Sequence, residues 1–280
     1  MASQSRNKLK HYNYPVFLFL LVFSLIMLFP FAWMILSAFK TSAEVLAYPL
    51  VWFPSTYKFD NFTKVFDMVP FGRYYFNTVV TSAAQTVLQI GMSICAAYAF
   101  AKLKFPFKRT IYMLIQSAMF VPMSVLVVPI YQMISRSGMT DSYLGIILPQ
   151  VVAAPMVFIL KKFFDQIPFE LEEAALMDGA SRFRIFRSIV LPLSKPILGA
   201  VAIFVFIGAW NNFLWPFIVV NDSNLMTLPT GLQTVISAYG IQYAQNMAQA
   251  VLAALPLIVV FMFFQRQIIK GIATTGIAGT

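Results

Sequence analysis

"IPFELEEAALMDGASRFRIFRSIVLP", residues 167–192, is a charged island in an oily chain. Ten of the 27 residues from 161 to 187 are Asp, Glu, Lys or Arg, whereas the 280-residue chain is 60% apolar and only 11% charged. An ordinary soluble domain carries about 25% charged residues. Five runs hold no Asp, Glu, Lys or Arg: 14–39, 74–101, 110–135, 142–160 and 196–221. A sixth uncharged stretch, 223–265, begins rich in Asn, Gln, Thr, Ser and Gly, so only about 247–265 reads as a span. At roughly 20 residues per crossing, the pattern predicts six transmembrane helices. The first run is too long for the apolar core of a cleaved leader and is read as a retained helix.

The island cannot be a seventh span. Each central Asp, Lys or Arg costs about 2.5–3.5 kcal/mol on insertion scales, so ten would cost on the order of 25 kcal/mol. It also carries its own helix punctuation. Pro168 suits a first helical position, and Glu170, Glu172 and Glu173 favour the first turns. Leu171, Ala174 and Ala175 form a stripe of mostly small side chains. Gly179 can end that helix in a left-handed conformation, and Ser181 then caps a second helix whose Phe183, Phe186 and Val190 share a face. Pro192 marks the next boundary. The expectation is a helix–turn–helix at the membrane surface, with an alanine-lined face that lets another backbone come close.

Cations give the sidedness. With the N-terminus inside, the inner segments hold 15 Lys and Arg and the outer segments 5, while acids divide five and five. The expected topology therefore places both termini and the island in the cytoplasm. The net charge of +10 sits at span ends, where it anchors topology and meets lipid headgroups; it does not point to nucleic acid. Cys95 is the single cysteine, read as a packed thiol, and His11 the single histidine. No cluster of metal-ligating residues and no G-x-x-x-x-G-K-[ST] loop is present, so no catalytic residue, metal site or nucleotide site is assigned.

Polar residues interrupt two spans. Trp210, Asn211, Asn212 and Trp215 lie in the fifth, and Asn77, Gln85 and Gln89 in the second. Such groups must face protein, water or a solute. Amides and aromatic faces suit a sugar, and they equally suit hydrogen bonding between helices. Both readings stand. Residues 40–73, with Pro49, Pro54 and Pro70, read as an irregular outer segment.

The island's spacing is specific. Glu173-Ala174-Ala175, three residues, Gly179, nine residues and Ile189-Val190-Leu191-Pro192 match E-A-A-x(3)-G-x(9)-I-x-L-P. That pattern resembles the permease subunits of binding-protein-dependent ABC importers. "GAWNNFLWPFIVV" (208–220) and the tail "QRQIIKGIATTGIAG" (265–279) resemble the carbohydrate branch, particularly its six-span maltose-type subunit. The resemblance implies an all-α integral membrane protein with a cytoplasmic coupling helix. Its parts would be a tail at 1–13, a first helix at 14–39, an outer segment at 40–73, a permease core at 74–265 with the coupling loop at 161–192, and a tail at 266–280.

The resemblance further implies that Glu173, Ala174, Ala175, Asp178, Gly179, Arg182 and Arg184 dock on a cytoplasmic ATPase, and that Lys270, Gly271, Gly276 and Gly279 reach the ATPase dimer. The candidate solute path comprises Trp210, Asn211, Asn212, Trp215, Gln85 and Gln89. The implied partners are a second permease subunit, an ATPase dimer that binds ATP and Mg, and an extracytoplasmic sugar-binding protein, all at a bacterial inner membrane. The chain itself would be no enzyme and hold no cofactor. The rival solute is a glycerol phosphodiester. A secondary transporter driven by an ion gradient is the rival of another class, and it is disfavoured because the spans lack ionisable residues.

Overall fold

The computed structural model describes residues 14–239 and 242–277, with side chains described for 14–233 and 242–265. Among these residues every regular element is helical. In order they are α1 (Tyr14–Ala38), α2 (Ser42–Val45), α3 (Asp60–Met68), α4 (Phe71–Lys102), α5 (Lys108–Ser117), α6 (Met123–Arg136), α7 (Tyr143–Ile147) and α8 (Ala154–Asp165). There follow α9 (Phe169–Met177), α10 (Arg182–Ile185), α11 (Leu191–Leu193), α12 (Lys195–Trp210), α13 (Leu214–Val219), α14 (Leu228–Tyr239) and α15 (Tyr243–Ile277). The chain forms two compact units, Met1–Asp67 with Tyr239–Leu252 and Met68–Ala238 with Ala253–Thr280.

Length and apolarity suit three unbroken helices to a membrane crossing: Tyr14–Ala38, Phe71–Lys102 and Tyr243–Gln265. Three bent pairs bring the number of spans to as many as six: Lys108–Phe120 with Met123–Arg136 (106°), Tyr143–Gln150 with Ala154–Asp165 (47°), and Arg182–Leu193 with Lys195–Trp210 (77°). The sequence predicts one span in each of the first two places, whereas the third bend follows the boundary read at Pro192. Pro122, Pro149 and Pro196 each sit at or beside a break, where a missing N–H and ring sterics oppose a continuous helix. The fifth apolar run also stops short of Asn221: α12 ends at Trp210, Asn211 caps it, and α13 restarts at Leu214.

In the first unit, the segment expected to be irregular carries two short helices, α2 and α3, joined by residues 46–59 without regular structure. Lys40 is fully buried, its Nζ donates to the Val51 carbonyl at 2.7 Å, and it stands 3.9 Å from the Trp33 ring centroid. Asn61 Nδ2 donates to the carbonyls of Ala38 and Lys40. Thr41 and Glu44 form a reciprocal capping box on α2, and Glu44 Oε1 also accepts from the Ser55 backbone and hydroxyl. The Ser55 hydroxyl, followed by the Thr41 and Ser55 N–H groups, holds the Glu44 carboxyl down at about 2. A depressed folded-state value means that the stabilisation is complete above the ordinary carboxylate value and is lost as pH falls through about 2. Trp52 fluorescence is thus expected to stay constant on acidification to about pH 4. Glu44→Gln should shift it at neutral pH, and an unshifted spectrum would show that the carboxylate does not order this segment.

In the second unit α4 is the spine, about 48 Å long at 1.5 Å per residue. Its buried face is mostly polar or small. Asn77, Thr81, Gln85, Gln89, Ser93 and Ala97 recur every four residues, and α8 and α12 pack on the same helix. Small and hydroxyl side chains let helices approach closely where lipid offers no hydrophobic drive to associate. The hydroxyls return hydrogen to their own helix: Thr78 donates to the Tyr74 carbonyl and Thr81 to that of Asn77. Below this stripe Ala97, Leu160, Phe164, Val190 and Val201 form the apolar core joining α4, α8 and α12. Cys95, expected to be packed, lies on an exposed face of α4. Residues 266–277, expected as a separate tail, continue α15 without a break; they contain no proline to end it.

Candidate functional site

Two features stand out: a cavity among broken helices, and the island itself. The cavity holds about 400 Å³ and is lined by Gln85 and Gln89 of α4, Gln150 after α7, Gly208 of α12, and Asn212 and Trp215. It lies where chain breaks converge, at 121–122, 151–153 and 211–213. Helix breaks at membrane depth are tolerated where the freed backbone is buried in protein or lines a cavity. Three side-chain amides meet here. Gln150 Oε1 accepts from Asn212 Nδ2 at 2.9 Å and from Gln85 Nε2 at 3.3 Å. Gln150 Nε2 is buried and makes no hydrogen bond. A buried donor left unmet costs about 1–3 kcal/mol.

Of the six path residues expected from sequence, four line this cavity: Gln85, Gln89, Asn212 and Trp215. Trp215 is only 2% exposed, and its indole donates to the Gly145 carbonyl at 2.9 Å, which fixes the wall. Two are corrected. Trp210 turns into a ring cluster with Tyr75 and Phe206, and Asn211 donates back to the Ile207 carbonyl of its own helix. Helical rotation explains this, since successive residues on a helix point about 100° apart. Asn77 is structural as well: it donates to the carbonyls of Asn224 and Met226 and accepts from the Tyr143 hydroxyl. Gln150 was not singled out from sequence, although an amide after Pro149 in an otherwise apolar run is the same kind of signal.

The island folds as its punctuation directs. α9 ends in a Schellman motif: the Gly179 N–H donates to Leu176 and the Ala180 N–H to Ala175, with Gly179 at φ +77°. The Ser181 hydroxyl accepts from the Arg184 N–H and starts α10. The second helix departs from expectation. Residues Phe186–Val190 form a π-turn, which slips the register by one residue. Ile185 and Val190 are therefore buried, while Phe183 is 70% exposed.

Glu173, Ala174, Asp178 and Gly179 lie on the exposed surface of this elbow, beside Met177. Ala175 and Arg184 line a cleft of about 200 Å³ with Asp178, Ala180 and Ser188. The expected coupling residues thus form one surface, except that Arg182 also turns toward the buried Glu172. Lys270, Gly271 and Gly276 fall within α15, whose side chains are not described there, and Gly279 lies outside the described residues.

The family model for "Binding-protein-dependent transport system inner membrane component" matches residues 89–274. The arabinooligosaccharide transport system permease protein of Bacillus subtilis is 35% identical over 271 residues, 96% of each chain. The sn-glycerol-3-phosphate transport system permease protein of Yersinia enterocolitica is 33% identical, over 90% of this chain and 93% of its own. Among solved structures, a chain of a bacterial ABC transporter involved in the import of the acidic polysaccharide alginate superposes with a TM-score of 0.79 at 21% identity. That match covers 95% of this chain and 99% of the other.

Proposed function

This chain belongs to the family of binding-protein-dependent transport system inner membrane components, and on that footing we propose that it passes a neutral carbohydrate, an oligosaccharide, through the cavity framed by Gln85, Gln150 and Asn212. It is the membrane-spanning permease subunit of an ABC importer. The complete machine adds a second permease, a pair of cytoplasmic ATPases that bind ATP and Mg, and an external solute-binding protein. Hydrolysis belongs to the ATPases; this chain converts their closure into alternating access. Both termini and the island face the cytoplasm, a reading supported by the 15-to-5 distribution of cations.

The amide triad carries the carbohydrate assignment. Side-chain amides donate to and accept from hydroxyl groups, and Trp215 and Phe204 supply apolar walls. A glycerol phosphate, transported by the Yersinia relative's system by name, would favour a cation in the lining, since phosphate oxygens are best met by Lys or Arg. The cavity lining contains neither. Reconstituting the complete complex in liposomes tests this. ATP-dependent uptake of labelled arabinotriose, with sn-glycerol 3-phosphate excluded, is the expected result. Uptake of the phosphate alone would overturn the assignment.

A further inference from the structure

α9 has one fully buried side chain, and it is an acid. Glu172 is 0% exposed, whereas its neighbours Leu171 and Glu173 face outward. Its Oε1 lies 3.0 Å from Lys102 Nζ, at the last residue of α4, and Oε2 lies 3.7 Å from an Arg182 nitrogen on α10. The Lys102 side chain is itself only 6% exposed, and Nζ donates to the Ile167 carbonyl at 2.7 Å. One ammonium therefore holds both the turn that enters α9 and the first half of α9. One turn earlier on α4, the Tyr98 hydroxyl reaches the Arg182 carbonyl at 3.4 Å. Neither Glu172 oxygen meets hydrogen-bond geometry, so its contacts with Lys102 and Arg182 are ion pairs. The directed bonds from the end of α4 to the elbow are those of Lys102 Nζ to the Ile167 carbonyl and of the Tyr98 hydroxyl to the Arg182 carbonyl.

Stability alone is a poor account of such a pair. Desolvating two charges commonly costs as much as their attraction returns, and apolar residues of similar size do as well or better. What apolar contacts lack is direction; they permit a nine-residue helix to slide and rotate. We propose that Glu172 is a positioning residue: with Lys102 and Arg182 it pins the coupling helix to α4, so that a push on α9 turns the spine of the permease without slip. The role rests on the reading that an ATPase pushes α9, but the joint itself is a property of this chain.

The experiment separates the two. In the assembled complex, with Cys95→Ser, spin labels are placed at Met177→Cys on α9 and Phe76→Cys on α4, both exposed positions. The unsubstituted joint should give one narrow label–label distance, with or without ATP. Glu172→Gln and Lys102→Met should broaden that distance about twofold and cut uptake of arabinotriose per ATP hydrolysed about tenfold, while Lys102→Arg preserves both. Should the single variants fail to assemble, the double variant Glu172→Met with Lys102→Met removes both charges. It should assemble and still show the broadened distance. Narrow distances in the singles, or in that double, would overturn the proposal. A broadened distance in the variants, combined with an unsubstituted complex that imports no arabinotriose when ATP is hydrolysed, would leave the joint standing and refute the ATPase coupling instead.

Discussion

Gly179→Pro in the assembled transporter is expected to abolish ATP-driven uptake while leaving membrane insertion intact. Proline is locked near φ −65°, and Gly179 sits at +77°. The ring also removes the N–H that closes the Schellman motif on Leu176. A Cβ at this position would meet nothing within 4 Å, so no side-chain clash contributes and the effect should be graded. Asn, which tolerates the left-handed region, should transport nearly as well as Gly. Ala should lose part of the activity, since left-handed backbone costs an ordinary residue about 1–2 kcal/mol. Pro should lose all of it. Ala175→Trp reaches the same end by another route, filling the cleft of about 200 Å³ beside α9 and holding a docking partner away. Uptake into proteoliposomes, with ATP hydrolysis recorded in parallel, reads both. Normal transport by Gly179→Pro and Ala175→Trp would mean that the elbow is not the coupling element.

Gln150→Leu should reduce carbohydrate uptake roughly tenfold or more, because a hydrogen bond between buried partners is worth about 1–3 kcal/mol when one side is deleted. The substitution strips the acceptor from Gln85 and Asn212 and removes a buried amide nitrogen that has no hydrogen-bond partner. The loss is expected in uptake, with the complex still assembled, since Gln150 lies outside the apolar clusters. Asn211→Ala should leave uptake within about twofold, because this side chain bonds only to its own helix. The contrast between two amides 61 positions apart is the informative part. Equal losses at Gln150 and Asn211 would indicate that the cavity is not the path.

Much of this architecture is legible in sequence, for identifiable reasons. Hydropathy exposes membrane helices because every residue of a span contributes, and the island declared itself because charge in lipid is prohibitive. Gly179 and Ser181 act locally, through backbone conformation and capping, so their roles could be read from the chain alone. Three things could not. The breaks near Pro122 and Pro149 are hidden because proline is also common in unbroken spans, as Pro30 and Pro256 show. The division between Trp210 and Asn211 on one side and Asn212 and Trp215 on the other depends on helix phase at a break, which composition does not record. Glu172 is the sharpest case. Its neighbour Glu173 belongs to the motif and takes the eye, but the partner that buries Glu172 is Lys102, 70 positions away.

Cross-linking decides the central claim. With Cys95→Ser removing the exposed thiol on α4, a cysteine at Met177, 88% exposed on the elbow, is joined to cysteines on the ATPase surface during turnover. A bridge whose yield changes between nucleotide-free and ATP-bound complexes is the predicted result. A complex that hydrolyses ATP and imports its solute, yet never forms that bridge from any position on the ATPase, would contradict it.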